Sequence, residues 1–273
     1  MKTLAFILVL FVISSGLALS ADDYRAAYQK RDFKVAYRLG KPLAEKGDAQ
    51  AQYILAVMYE WGEGVLRDYQ EAGRWMTKAA KQGHAAAQSN LGWWYCNSHI
   101  MPTNKKEAMK WFTKASKQGE ENAQYFLGGM YYAGDGINAN FAEAALWFTK
   151  AAEQGHLNAQ WYLGGMYKDG IGVQQDYEEA FRWLSKSAEQ GHLIAQNDLG
   201  LMYKDGRGTL QNFVKAYMWL TIAASNGDTT AVQNRDMLAN IMTPAQVAEA
   251  KRLAAEWKPK ESRKDQTIYG KQP

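Results

Sequence analysis

A strict 36-residue period constrains this chain more than any other feature. Gly47, Gly83, Gly119, Gly155, Gly191 and Gly227 stand 36 residues apart. Trp75, Trp111, Trp147, Trp183 and Trp219 keep the same interval, as do Ala36, Ala72, Ala108, Ala144, Ala180 and Ala216. A period in this range predicts small units that stack, because no single unit can hide its own apolar face.

Residues 156–191, HLNAQWYLGGMYKDGIGVQQDYEEAFRWLSKSAEQG, show one unit in full. Ala159, Leu163, Gly164 and Tyr167 fall at helical spacing and share a face of a first helix. Gly164 costs that helix roughly 1 kcal/mol relative to alanine, so it predicts a close contact with no room for a side chain. Gly170 and Gly172 supply the stop and the turn. Asp176 predicts an N-cap with Glu179 as its reciprocal partner. The second helix is expected to bury Tyr177, Ala180, Trp183, Leu184 and Ala188. The repeated text, A-x-x-x-L-G-x-x-Y-x-x-G-x-G followed by D-x-x-x-A-x-x-W and A-x-x-G, resembles the Sel-1-like repeat, a relative of the tetratricopeptide repeat. The resemblance covers nearly all of the chain after residue 20. It implies an all-α fold, a right-handed α/α superhelical solenoid that scaffolds protein complexes.

Five full units are expected at 48–83, 84–119, 120–155, 156–191 and 192–227, after an incomplete unit at 22–47. Gly40 and Pro42 predict a kink or an early break in that incomplete unit. The second full unit has Cys96 to Thr103, with Pro102, where the others have Gly-x-Gly. The pattern decays from Asp228. Thr243-Pro244-Ala245-Gln246 then opens a capping helix, so 228–257 is expected to cover the last open face. Residues 258–273 form a basic tail without apolar periodicity, expected to lack order. At the other end, Lys2, the apolar run Leu4 to Ile13, and Ala18-Leu19-Ser20 predict a signal peptide over residues 1–20. Export to a bacterial periplasm or beyond is the expectation, with no integral membrane segment after cleavage. Cys96 is the sole cysteine, so no intrachain disulfide can form.

The search for chemistry is thin. A formal charge of +4, with both signs interspersed, argues against nucleic acid as the partner. His84, His156 and His192 occupy one repeat position, too far apart to converge on a metal. No H-E-x-x-H, Cys pair, phosphate loop or calcium loop is present. No catalytic residue, metal or cofactor is therefore expected. By the resemblance, the first helices line a concave face. Gln50, Tyr53, Trp61, Trp93, Asn122, Tyr125, Tyr132, Asn158, Trp161, Lys168, Asn197 and Lys204 would point into it. Rings and carboxamides there suit a protein or extended peptide bound by a monomeric scaffold. Packing of the same rings between units is the open alternative. Two other functions stay open: a cell-wall glycan binder, and a β-lactam-binding or hydrolysing protein like the cysteine-rich members of the family. Those members carry a Cys pair in each unit, which this chain lacks.

Overall fold

A computed structural model of the chain describes residues 21–97 and 100–260. The expected signal peptide, His99 and residues 261–273 of the tail lie outside the described residues. Fourteen helices and no strand occur among the described residues, an all-α fold of the solenoid class. The helices fall into two compact bodies. The first holds α1 (Ala21–Gln29), α2 (Phe33–Glu45), α3 (Ala49–Trp61), α4 (Tyr69–Lys81) and most of α5 (Ala85–Asn97). The second holds α6 (Lys105–Lys117), α7 (Glu121–Ala133), α8 (Phe141–Gln154), α9 (Leu157–Asp169), α10 (Tyr177–Glu189), α11 (Leu193–Asp205), α12 (Phe213–Ser225), α13 (Thr229–Ala239) and α14 (Pro244–Glu256). Within each body most helices pack on those before and after them in the chain, and α14 packs on α12.

The periodic residues make the core. Ala72, Ala108, Ala144, Ala180 and Ala216 are fully buried. Trp75, Trp183 and Trp219 are buried, while Trp111 and Trp147 are half-buried. A Cβ on Gly164 would meet Leu184 Cγ at 2.7 Å, and one on Gly128 would meet the Phe148 ring at 2.8 Å. The close contact expected at Gly164 is therefore present. The first turn glycine ends its helix at positive φ, 70° for Gly170. The second does something the sequence reading missed. Gly172 has φ 71°, and its Cβ would lie 2.3 Å from the Phe141 carbonyl oxygen, at the start of the preceding unit's second helix. Gly208 stands the same way over Tyr177. Gly172→Ala is expected to lower stability by roughly 2 kcal/mol or more in urea denaturation, from backbone strain and overpacking together.

Two local expectations need correction. Helix α2 runs without interruption from Phe33 to Glu45 with Pro42 inside it, so the expected break is absent. Pro42 has no N–H for the Arg38 carbonyl, and the helix continues past it all the same. The N-cap expected at Asp176 is present, and Asp68, Asn104, Asn140 and Asn212 cap other second helices: Asp176 Oδ1 accepts from Glu178 N at 2.9 Å and Glu179 N at 3.1 Å. The glutamates do not act as their reciprocal partners. Glu179 Oε2 accepts instead from Trp183 Nε1 at 3.1 Å and Glu71 Oε2 from Trp75 Nε1 at 3.0 Å. A buried indole N–H needs an acceptor, and the carboxylate one turn earlier is within reach. The complete capping box at Thr243 and Gln246 forms as read.

A column of glutamines was also missed. Gln52, Gln88, Gln124, Gln160 and Gln196 are buried, each donating to a carbonyl eight residues back near the end of the preceding second helix, at 2.9–3.4 Å. Each of those carbonyls also accepts from the glycine N–H three residues on, at 2.9–3.1 Å, so the amide takes the second lone pair of a helix-terminal carbonyl. Gln82, Gln154 and Gln190 in turn donate to Gln52, Gln124 and Gln160 at 2.6–2.7 Å.

Candidate partner-binding surface

Each unit begins on a residue whose side chain accepts a backbone N–H three residues on. Asp48 accepts from Ala51 at 2.6 Å, Glu120 from Ala123 at 2.5 Å and Asp228 from Ala231 at 3.0 Å. At the other starts the acceptor is imidazole Nδ1: His84 from Ala87 at 3.1 Å, His156 from Ala159 at 3.2 Å, His192 from Ala195 at 3.1 Å. Accepting through Nδ1 requires a neutral ring with its proton on Nε2. His84 Nε2 then donates to Gln50 Oε1 at 2.8 Å. Burial pulls all three imidazoles below their ordinary value of 6.5, with His156 lowered to about 4. Asp48 opposes the shift at His84, and Asp198 opposes it at His192.

These histidines explain much of the expected groove. Tyr53 stacks on His84 with centroids 4.7 Å apart, Tyr125 on His156 at 4.3 Å and Trp161 on His192 at 5.1 Å. The spacing is 31 residues each time. Where the unit start is Glu120 or Asp228, the residue 31 places earlier is Ser89 or Asn197, with no ring. Variation along this row follows the residue that opens the next unit, so it does not by itself require a ligand. Tyr53 and Asn197 are buried. Tyr53 OH accepts from Asn90 at 3.2 Å, and Asn197 accepts from Asn234 at 2.9 Å. For these two, packing between units is what the structure gives. Tyr125 and Trp161 are half-buried: each has one side on the next unit and an edge in solvent. Burial pushes the Tyr125 hydroxyl up to about 12.

The other expected residues divide. Asn158 lies beside Tyr125 and is half-buried. Asn122 donates to Glu120 at 3.1 Å. Tyr132 is half-buried against Tyr162 and Phe141. Lys168 Nζ pairs with Asp198 at 3.3 Å, and Trp161 Nε1 donates to the other oxygen of that carboxylate at 3.2 Å. Lys204 pairs with Asp205 at 3.4 Å. Trp93 is half-buried. Trp61 is exposed, but it stands one residue out of the row that holds Tyr132, Lys168 and Lys204. The residue in register is Glu60.

Sequence reasoning also missed two bare positions. A Cβ on Gly129 or Gly165 would meet nothing within 4 Å. Both sit inside helices, where glycine is unfavourable and neither positive φ nor close packing calls for it. Val57, Trp93 and Leu201 occupy the same repeat position in other units. The second body thus has an open strip over Gly129 and Gly165, edged by Tyr125, Asn158 and Trp161, one and two turns earlier on the same two helices. Among the described residues no group of three His, Cys, Asp or Glu could hold a metal, and no helix is long and apolar enough to cross a membrane.

The model of the Sel1 repeat matches residues 49–84, 85–120, 122–156, 157–192 and 193–228, within one or two residues of the units read from the period. The chain belongs to the Sel1 repeat family. Among solved structures, a Sel1 repeat protein from Oxalobacter formigenes is similar at 29% identity and TM-score 0.73, over 89% of this chain and all of that one. The protein c5321, a protective antigen of uropathogenic Escherichia coli with the same repeat fold, is similar at 27% identity and TM-score 0.60. The alignment covers 88% of this Sel1 repeat protein and about 60% of the length of c5321. No curated protein matches the chain. Sel1 repeat proteins in general are protein-interaction scaffolds, and that much applies to this one.

Proposed function

We propose that this Sel1 repeat protein is an exported, non-catalytic scaffold that seats a protein or extended peptide on the first-helix face of its second body. The observation that carries this reading is the open strip over Gly129 and Gly165. Two helix-interior glycines without a packing role give up about 1 kcal/mol each. A strip without side chains lets a partner backbone approach closely, while the exposed edges of Tyr125 and Trp161 supply anchors. The half-buried state of those rings changes the natural test. Alanine at either would disturb stacking on His156 or His192, so loss of binding and loss of stability would arrive together.

Gly129→Leu with Gly165→Leu separates them. Leucine already stands at this repeat position as Leu201, so the fold accommodates it. The double variant is expected to melt at or slightly above the wild-type temperature and to lose at least about tenfold in affinity for a partner captured by the wild type. Unchanged affinity would place the partner elsewhere. Export rests on residues 1–20. N-terminal sequencing of the protein from a periplasmic fraction is expected to begin at Ala21 or within a few residues of it. An intact Met1 in the cytosol would contradict it.

A further inference from the structure

In the first body the row position shared by Tyr132, Lys168 and Lys204 is held by Glu60, at the end of α3. Its side chain is half-buried, and Oε1 accepts from Trp94 Nε1 at 3.2 Å. No cation stands within ion-pair distance of it among the described residues. The contrast with Lys168 is direct. Asp198, thirty residues after Lys168, neutralises it, whereas the residue thirty after Glu60 is Asn90, whose amide donates to the Tyr53 hydroxyl at 3.2 Å. Trp61, exposed, follows Glu60, and Trp94 is buried behind it. A half-buried carboxylate with a single neutral donor is unfavourable to the fold unless something arrives to pair with it.

We propose that Glu60 is the counter-charge for a cationic side chain, a lysine or arginine, of a protein or peptide seated on the first-helix face of the first body. This rests on the reading that the first helices face the partner. A lysine or arginine brings charge-assisted hydrogen bonds to the carboxylate at the end of a flexible aliphatic stem. The same geometry makes the site proton-sensitive. Burial pushes the Glu60 carboxyl up to about 7, with the Trp94 N–H opposing. The anion a cation would need is therefore formed above that value and lost below it.

The test is a titration of the full chain with a short alanine peptide carrying one lysine, and with the same peptide carrying glutamate or norleucine instead. Binding is followed on the indole N–H signals of Trp61 and Trp94. At about pH 8 the lysine peptide is expected to bind at least about tenfold more tightly than the other two. That preference is expected to vanish at about pH 5.5, and to vanish in Glu60→Gln at either pH. Glu60→Gln is also expected to melt above the wild type at about pH 8, because an uncompensated charge has gone. Equal binding of the three peptides overturns the assignment, as does a lysine preference retained by Glu60→Gln or the absence of any response. None of those outcomes touches the Gly129 and Gly165 experiment, which stands or falls separately.

Discussion

Trp183→Ala is expected to lower the stability of the chain by roughly 3–5 kcal/mol, the cost of emptying a large buried ring site. Trp183 is 3% exposed and packs in one cluster with Phe148 and Ala151 of the preceding unit and Met166 of its own. Its N–H is held by Glu179, and Arg182 and Lys186 each lie 4.4 Å from the ring centroid. Lys78, Lys114 and Lys150 stand in the same relation to Trp75, Trp111 and Trp147. The column ends at Trp219, where Ile222 replaces the lysine and Trp257 meets the ring edge-on at 5.5 Å. Trp257 is half-buried at the end of α14. Trp257→Ala should therefore cost less, roughly 1–2 kcal/mol. Urea midpoints of the two variants provide the check, and equal midpoints would contradict a solenoid in which interior units are buttressed on both sides and the end on one.

Acid is expected to weaken the chain between about pH 6.5 and pH 4, through the histidines that open three of its units. An unfolded histidine takes up its proton near 6.5, whereas folded His156 resists until about 4. Between those values the unfolded state binds more protons, so stability falls as the pH falls. The contribution is fully present above 6.5 and lost by about 4. For His156 alone it amounts to about 3 kcal/mol. His84 and His192 shift in the same direction and add to it. Protonation at Nδ1 would set a second N–H, and a positive charge, against a helix N-terminus. Aspartate does this job at Asp48 and Asp228. The triple variant His84→Asp, His156→Asp, His192→Asp should flatten the dependence of melting temperature on pH across that window, whatever it does to stability at neutral pH. A slope equal to the wild type's would show that other groups carry the acid response.

The helices and their stacking were legible because they depend on residues with one dominant use. A buried alanine column, a tryptophan column and a glycine after each helix leave little freedom about which faces meet. Gly164 was legible for the same reason, since an interior glycine has to be explained. The partner surface was harder. Its residues serve two purposes at once. Tyr125 and Trp161 are read from sequence as anchors, yet each supports the histidine that opens the next unit. That coupling is visible in sequence as aromatic and histidine 31 residues apart, but its meaning depends on knowing that the histidine caps a helix, a role more often filled by Ser, Thr, Asp or Asn. Glu179 had two possible partners, the cap and the indole, and only geometry chooses between them. Gly129 does not stand out in sequence because Gly128 lies beside it, yet one glycine of the two is pressed against Phe148 and the other faces open space.

A photocrosslink tests most directly whether the partner lies over that open space. A benzophenone side chain placed at Asn158, on the edge of the strip, leaves Gly129 and Gly165 bare for the partner and lies within reach of it. The same group at Glu178, exposed on second helix α10, is the control. With partner bound and light applied, a covalent adduct is expected from position 158 and not from 178. An adduct from 178 alone, with the complex intact in both samples, would contradict it.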